Sequence, residues 1–425
     1  MSGIAITGIG LCTPVGKGTD ETWSALMEGR SGIGPIEGYD ASSLRTRIGA
    51  EVKDIRGRDY ASNRRSVRTM TPHDVYAMAA TRMALEDSGY ELPEDDTDGR
   101  IALFTAGDKQ VSDPDYFSDA SVQARDGDGK VSMSRFGELA YGSVHPLFFI
   151  EGIQGSSLFY ISEEYNLRGP NTYFSGTAEA GAFAVARGAR ALRRGEADVA
   201  IAGASDSPIF WWHMAAWDTL GVLTGRNELE SGACAPYDSD RDGTVMGEGG
   251  AFFVLERTED ARSRGAEVHA EIAGFGAATE LDYLASPDLD GTAVAKAVGR
   301  AIEQAGGAPG DVGYVAAHGA GTRDGDRSEA AGLRRLFGEN GTAASSVKPA
   351  TGHLVGAAGA LNIAVAALAL SRGEVPPTLN LENLDPDCAG LDWLPKEGRE
   401  MQAELAVGIA RGLEGQNVAL ALRRA

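Results

Sequence analysis

The chain has 425 residues, of which 39 are Lys or Arg and 61 are Asp or Glu, so its formal net charge at pH 7 is −22. A surface this acidic repels the nucleic-acid backbone and anionic lipid headgroups, so binding to nucleic acid or to a membrane is not expected. Hydrophobic residues make up 43% of the chain, which is enough for a buried core and excludes a largely disordered protein.

The amino terminus is predicted to form the first strand. Residues 1–10 are apolar without a basic flank or a small-residue cleavage pattern, so a signal peptide is not expected. Cys12, Cys234 and Cys388 lie far apart and lack metal-ligand spacing, so neither a disulfide framework nor a metal site is predicted. The only uncharged run of membrane length, residues 351–371, is too weakly apolar to favour a bilayer. These features favour a cytoplasmic protein.

Short β-rich segments alternate with longer Ala-rich segments along the chain, which predicts an α/β protein. The predicted strands cover residues 4–7, 101–106, 199–203, 251–255, 270–273 and 314–317. Helices are predicted over residues 71–87 and 294–304, where apolar residues recur at spacings of three and four. This spacing is typical of amphipathic helices that pack on a sheet.

Two Gly/Ala-rich segments resemble each other and indicate an internal repeat. Residues 175–196 and 351–374 both begin at a small polar residue, and both end on an Ala-Leu pair followed by Arg-Gly-Glu. A repeated supersecondary unit of this kind predicts a duplicated α/β fold. We therefore expect two halves, residues 1–255 and residues 256–425.

Two histidines lie where predicted strands end and helices begin. His318 follows an apolar strand and opens the turn HGAGT, whereas His353 lies near the start of the second repeated segment. Lys348 precedes His353 by five residues, and Asp326 and Glu329 follow His318. Two imidazoles at one site donate hydrogen bonds to a carbonyl oxygen and stabilise an enolate formed on loss of CO2. Taken singly, each histidine is also compatible with a buried structural role.

The order and spacing of several motifs resemble the β-ketoacyl synthase family, the condensing enzymes of fatty acid and polyketide synthesis. The resemblance covers almost the whole chain. The matching motifs are TGIGLCTPVGKG at residues 7–18, SGIG at 31–34, LRGPN at 167–171, DSDRDGTVMGEGG at 238–250, AAHGAGT at 316–322 and KPATGHLVGAAG at 348–359.

This resemblance implies a thiolase-like duplicated αβαβα five-layer fold and a dimer. It also implies that acyl groups arrive on the phosphopantetheine arm of an acyl carrier protein, with no other cofactor bound. His318, His353 and Lys348 occupy the family's catalytic positions, and the resemblance places Thr322, Asn362 and Leu413 at the pocket.

The chain departs from the family at the nucleophile. Family members carry a cysteine nine residues beyond the glycine that is Gly169 here, and this count ends at Ala178, or at Glu179 if the alignment slips by one residue. Neither side chain can form the thioester that a condensing enzyme requires. The three cysteines of the chain lie in other motifs or loops and are not plausible substitutes.

Other departures lie in the same pocket. Asn362 stands where the family has a glutamate, and Ala320 stands where it has a threonine. Residues 410–417, ARGLEGQN, replace the family's GFGGTN loop and are similar to the loop of chain-length factors, the cysteine-free partner subunits of type II polyketide synthases. Those partners frequently lose the histidines that this chain retains.

These observations favour a chain-length-factor-like subunit that forms a heterodimer with a cysteine-bearing ketosynthase and shapes its acyl tunnel. The alternative is a thiol-free enzyme that uses the retained histidines, such as a malonyl-carrier-protein decarboxylase or an acyltransferase. Two further hypotheses remain. The chain is an active synthase whose cysteine was changed to Ala178 by engineering, or it is a homodimeric scaffold without a catalytic function.

Two surface features have both a functional and a structural interpretation. Arg64, Arg65 and Arg68 form the strongest local basic cluster, which suits an acidic carrier protein as well as an ordinary solvated helix start. Four aromatic residues between positions 210 and 217 suit a tunnel wall or interface, and core packing is the simpler interpretation.

Overall fold

The computed structural model describes residues 3–109, 115–144, 146–281, 286–339 and 341–425. Within these ranges the strands are β1 Ile4–Thr13, β2 Gly16–Lys17, β3 Ile33–Pro35, β4 Ile48–Ala50, β5 Ile101–Gly107, β6 Asn171–Ser175, β7 Val199–Asp206, β8 Gly249–Arg257, β9 Ala270–Thr279, β10 Val312–Ala316, β11 Ala343–Ser345, β12 Glu374–Val375, β13 Asp392–Trp393, β14 Arg399–Glu400, β15 Leu405–Arg411 and β16 Gln416–Arg423.

The α-helices in the same ranges are α1 Thr19–Met27, α2 Pro72–Ser88, α3 Asp115–Gln123, α4 Met133–Ser143, α5 Phe148–Glu151, α6 Ser156–Tyr165, α7 Glu179–Arg193, α8 Trp211–Leu220, α9 Thr258–Ser263, α10 Thr292–Gln304, α11 Arg323–Phe337, α12 Lys348–Thr351 and α13 Ala358–Arg372. Short 3₁₀ helices cover Gly57–Asp59, Ser66–Arg68, Asn227–Gly232, Pro309–Asp311, Val355–Ala357 and Pro386–Cys388. Each predicted strand and helix lies wholly or mostly within an observed element, and most observed strands are longer.

Helix boundaries follow from local capping. Helix α2 begins after Thr71, which forms a capping box with Asp74, and Pro72 occupies the first helical position. Gly373 ends α13 with a φ of 71°, a left-handed conformation that glycine adopts without a steric penalty.

Ten strands of the main sheet form two groups with the same internal arrangement. In the first group the order is β6-β5-β7-β8-β1, and in the second it is β11-β10-β15-β16-β9. In both groups the second strand pairs parallel with its two neighbours, and the remaining neighbours are antiparallel. A short antiparallel contact between β1 and β9 joins the groups. The arrangement is a duplication, and β8 runs two residues past the expected boundary at 255.

Helices cover both faces of the two strand groups and produce five layers. Helices α7 and α13 pack against each other in the centre, with α7 on β5 and β7 and α13 on β15 and β10. Helix α2 covers the outer face of the first group, and α10 covers the outer face of β9 and β16. The expected thiolase-like αβαβα fold is confirmed.

The two central helices form the most deeply buried layer. Every residue of α13 from Ala358 to Leu370 is buried, and most of these residues are Ala, Leu, Ile or Val. By length and composition, residues 355–372 meet the criteria for a membrane span, the only such helix in the described part of the chain, and 89% of this stretch is buried inside the protein. Small side chains allow these helices and the flanking strands to approach closely.

Candidate active site

The starts of the two central helices meet at Ala178. Strand β6 ends at Ser175, and Ala178 occupies the cap position before the first residue of α7. The backbone N–H of Gly359 in α13 donates to the carbonyl oxygen of Ala178 at 3.1 Å. A Cβ at position 359 would lie 2.4 Å from that oxygen, so only glycine fits there. The expected nucleophile position therefore lies at the centre of the molecule.

His318 and His353 are brought together as expected. Their ring centroids lie 5.3 Å apart at an interplanar angle of 75°, and both side chains are buried. Burial, with the nearby Lys348 cation as a second cause, lowers the pKa of both imidazoles well below 6.5, so both are neutral at pH 7. Nδ1 of His353 accepts the backbone N–H of Val355 at 3.0 Å, which leaves the proton on Nε2.

The turn that bears His318 is held by carboxylates. Glu329 accepts the backbone N–H groups of His318 at 2.7 Å and Gly319 at 2.8 Å, and Asp326 accepts the N–H of Gly321 at 3.1 Å. These hydrogen bonds fix the backbone of the turn from which the His318 side chain projects. Nδ1 of His318 has no hydrogen-bond partner among the described residues.

Lys348 contacts the backbone of His318. Its Nζ donates to the carbonyl oxygen of His318, and the side chain is buried. Burial lowers the pKa of Lys348 from 10.5 to about 8. The amine therefore contributes a positive charge at pH 7 and orients the His318 backbone.

A cavity of about 330 Å³ connects the two histidines with the helix start. His318, His353 and Ala178 line it together with the expected Thr322 and Leu413. The lining does not include Lys348 or Asn362. A pocket of this size, with a few convergent polar groups, is typical of a small-molecule or acyl-chain site.

Asn362, expected at the pocket, lies one layer deeper. Its side-chain amide donates to the carbonyl oxygens of Ala317 at 3.1 Å and Ile409 at 2.7 Å. The amide thus joins the end of β10 to the end of β15, the strands that lead to His318 and to the 412–415 loop. Spacing along α13 could not show this, because every position there is buried.

Leu220, Val222 and Arg411 line the cavity but were not singled out from the sequence, whereas Trp217 belongs to the aromatic run for which a tunnel wall was one interpretation and core packing the simpler one. Trp217, Leu220 and Val222 come from the end of α8 and the turn after it, and Trp217 both lines the cavity and is buried. Arg411 forms a buried ion pair with Glu280, 3.0 Å between Nη2 and Oε1. The aromatic run at 210–217 was the available signal for α8, but aromatic residues in cores and in pockets have the same sequence pattern.

The described lining contains no thiol. Cys12, Cys234 and Cys388 are free and buried, and none of them lines the cavity. Burial raises the pKa of Cys234 and of Cys388 to about 12 and raises that of Cys12 further. Such buried thiols stay protonated and are poor nucleophiles.

Comparison with known proteins gives consistent matches over the chain. The model for "Beta-ketoacyl synthase, N-terminal domain" matches residues 1–261, and that for "Beta-ketoacyl synthase, C-terminal domain" matches residues 269–382. The chain is 33% identical over 423 residues to a 3-oxoacyl-[acyl-carrier-protein] synthase 2 of Coxiella burnetii, which covers 99% of this chain and 98% of that protein.

Two solved structures are similar to the chain over its full length. The ishigamide ketosynthase/chain length factor has a TM-score of 0.86 and 27% identity, covering 100% of this chain and 99% of that one. A type II PKS acyl-carrier protein in complex with its ketosynthase bound to the hexaketide has a TM-score of 0.85 and 25% identity, with the same coverage.

Proposed function

The chain belongs to the β-ketoacyl synthase family, and we propose that within it the chain is a chain-length-factor-like subunit. In this function it pairs with a cysteine-bearing ketosynthase and shapes the tunnel that holds the growing acyl chain. The observation that carries the proposal is Ala178, a methyl group at the helix start where the family's nucleophile is expected, in a cavity that retains His318 and His353.

A methyl group cannot accept an acyl group. Condensation in this family proceeds through a covalent acyl-enzyme, which requires a nucleophilic side chain. With Ala178 at the helix start and no cysteine in the described lining, the chain cannot hold an acyl group as a thioester at this site. A partner that supplies the thiol therefore completes the reaction.

An exposed apolar patch at residues 122–159 suits a partner. Of the fourteen large hydrophobic residues exposed in the described chain, eight lie between positions 122 and 159. Tyr141, Phe149 and Met133 are 94%, 79% and 72% exposed. Strand β6, which leads directly to Ala178, is the last strand of its group and pairs only with β5 among the described residues. Exposed apolar patches and free strand edges are typical of protein interfaces.

The acyl carrier protein is the second proposed partner. The ketosynthase structure with a bound acyl-carrier protein supports this proposal by similarity, and the phosphopantetheine arm would be the carrier of the acyl group. Arg64, Arg65 and Arg68 are all exposed and form a basic cluster on a chain of net charge −22. A carrier protein with acidic docking helices would be attracted to this cluster. We place the complex in the cytoplasm.

Native mass spectrometry of the chain mixed with the ketosynthase from the same source tests the pairing. A one-to-one complex is expected, and the double substitution Tyr141→Ser and Phe149→Ser should weaken it at least about tenfold, because large exposed anchors dominate interfaces. Leu281→Ser is the matched control, since Leu281 is 92% exposed outside the patch. A homodimer that ignores the ketosynthase, or equal effects of both variants, would contradict the proposal.

The neutral histidine pair favours one second function, decarboxylation of a malonyl thioester. The bond between the α-carbon and the carboxylate breaks, CO2 leaves, and the electron pair forms an enolate whose oxygen accepts hydrogen bonds from His318 and His353. A proton from water then converts the enolate into the acetyl thioester. Each well-placed donor contributes about 3 kcal/mol in comparable oxyanion sites.

Release of CO2 from malonyl carrier protein measures this activity directly. Replacing His318 and His353 by Ala should reduce the rate at least about a hundredfold if both donors act on the enolate. Unchanged CO2 release by the double variant would exclude the second function and leave the pairing proposal intact.

A further inference from the structure

One hydroxyl group, that of Thr177, joins the start of α7 to the loop at residues 412–415. Its Oγ1 accepts the backbone N–H of Leu413 at 2.9 Å. The same atom lies 3.1 Å from Oε2 of Glu179 and 3.0 Å from Oε2 of Glu414. Thr177 and Leu413 both line the cavity, so this contact forms part of the wall next to Ala178.

The hydrogen count at Thr177 favours an additional proton. A threonine hydroxyl has one hydrogen to donate and two lone pairs that accept. The Leu413 N–H uses one lone pair, and the hydroxyl hydrogen forms a linear hydrogen bond with only one of the two carboxylates. All three contacts are linear hydrogen bonds only if one carboxyl group is protonated and donates to the second lone pair; with both ionised, the single hydrogen is divided between them in a weaker three-centre contact.

Burial places this proton on Glu179. Glu179 is 5% exposed, whereas Glu414 belongs to the exposed class. The charged groups that act on Glu179 include the carboxylates of Glu414 and Asp108, and Asp108 lies 3.5 Å from Nε2 of His213. The guanidinium of Arg411, in the segment leading to the loop, is paired with Glu280.

The burial and charges around Glu179 favour the same protonation state as the hydrogen count at Thr177. Burial, with Glu414 as the largest charged contribution, raises the pKa of Glu179 to about 7, although its own backbone N–H and Thr177 act in the opposite direction. At pH 7 the carboxyl group of Glu179 is therefore protonated in about half of the molecules. Its surroundings are crowded as well, since a Cβ at Gly412 would lie 2.2 Å from Oε2 of Glu179.

We propose that Glu179 and Glu414 share one proton through Thr177, and that this proton holds the 412–415 loop against the start of α7, closing the cavity wall over Ala178. When Glu179 ionises, two carboxylates compete for one hydroxyl hydrogen and repel each other. The Leu413 contact then weakens and the wall loosens. Glu179 and Glu414 are positioning residues that act through Leu413, and this function does not depend on a partner subunit.

Infrared spectroscopy of the isolated chain tests the protonation. The wild-type protein at neutral pH should show the carbonyl stretch of a buried carboxylic acid, and this band should disappear as the pH rises. Glu179→Gln should remove the band. Glu248→Gln is the matched control, because Glu248 is another buried carboxyl group whose pKa is raised to about 7. This variant should remove a different component of the carbonyl-stretch absorption and leave the Glu179 band in place. A Glu179→Gln spectrum identical to wild type would overturn the proposal.

Hydrogen exchange of the Leu413 amide tests the effect on the loop. If the closed loop requires the proton, the protection factor of this amide in the wild type should fall about tenfold per pH unit above about pH 7. In Glu414→Gln, which removes the repulsion, the protection factor should be independent of pH, and Glu248→Gln should behave like wild type. The wild-type protein alone can refute the proposal, even if a variant fails to fold. A protection factor of the Leu413 amide that is independent of pH in wild type would exclude the shared-proton arrangement.

Discussion

The protonation of Glu179 predicts a stability difference that depends on pH. The pKa of this carboxyl group rises from an ordinary 4.5 to about 7 in the folded chain, so the folded state retains a proton that the unfolded state has lost. Between these values the unfolded state binds fewer protons, and the free energy of unfolding therefore falls as pH rises.

The magnitude follows from the two pKa values. One pKa unit corresponds to about 1.4 kcal/mol, so ionising Glu179 costs the folded state on the order of 3 kcal/mol once the pH exceeds 7. Glu179→Gln has no proton to lose. Its free energy of unfolding relative to wild type should therefore increase by about 2.5 kcal/mol between pH 5 and pH 8.

Urea unfolding of both proteins at several pH values measures this difference. Asp206 and Glu248 are also buried acids with raised pKa values, about 6 and about 7, but their contributions are common to both proteins and cancel in the difference. If the free energy of unfolding of Glu179→Gln differs from that of wild type by the same amount at pH 5 and at pH 8, the reasoning about Glu179 is refuted.

Three substitutions test the architecture around the site by thermal or urea unfolding. Gly359→Ala should cost about 1–3 kcal/mol because the new Cβ meets the Ala178 oxygen at 2.4 Å, and a neutral effect would mean that α7 and α13 do not meet. Arg241→Ala should cost about 3–5 kcal/mol because it leaves the buried Asp326, whose Oδ2 lies 3.5 Å from Nε of Arg241, without its cation, and a loss below 1 kcal/mol would contradict that ion pair. Asn362→Leu should cost about 1–3 kcal/mol for each of two unpaired buried carbonyls, and unchanged stability would exclude its bridge.

Much of the fold could be predicted from the sequence because the signals are local or repeated. The β-rich segments, the Ala-rich segments and the matching ends of residues 175–196 and 351–374 indicate a duplicated α/β protein without any tertiary information. The meeting of His318 and His353 followed from the resemblance, since their separation of 35 residues along the chain says nothing by itself about a distance of 5.3 Å between rings.

The orientation of buried side chains could not be predicted in the same way. Asn362 lies on a helix that is buried on all sides, so periodicity does not show whether it faces the cavity or the strand ends. Glu179 was considered only as an alternative position for the nucleophile, and its contact with Glu414 joins residues 235 positions apart. Such contacts depend on the packing of the two halves, which no local pattern encodes.

The contact between α7 and α13 separates the architecture of the site from its chemistry. The two helix starts meet through the carbonyl oxygen of Ala178 and the N–H of Gly359, so this hydrogen bond does not involve the side chain at position 178. A sulfur atom can therefore be lost or gained there while the backbone stays as it is. Under the proposed function, a change at position 178 removes the nucleophile without altering this backbone contact, whereas position 359 tolerates almost no change.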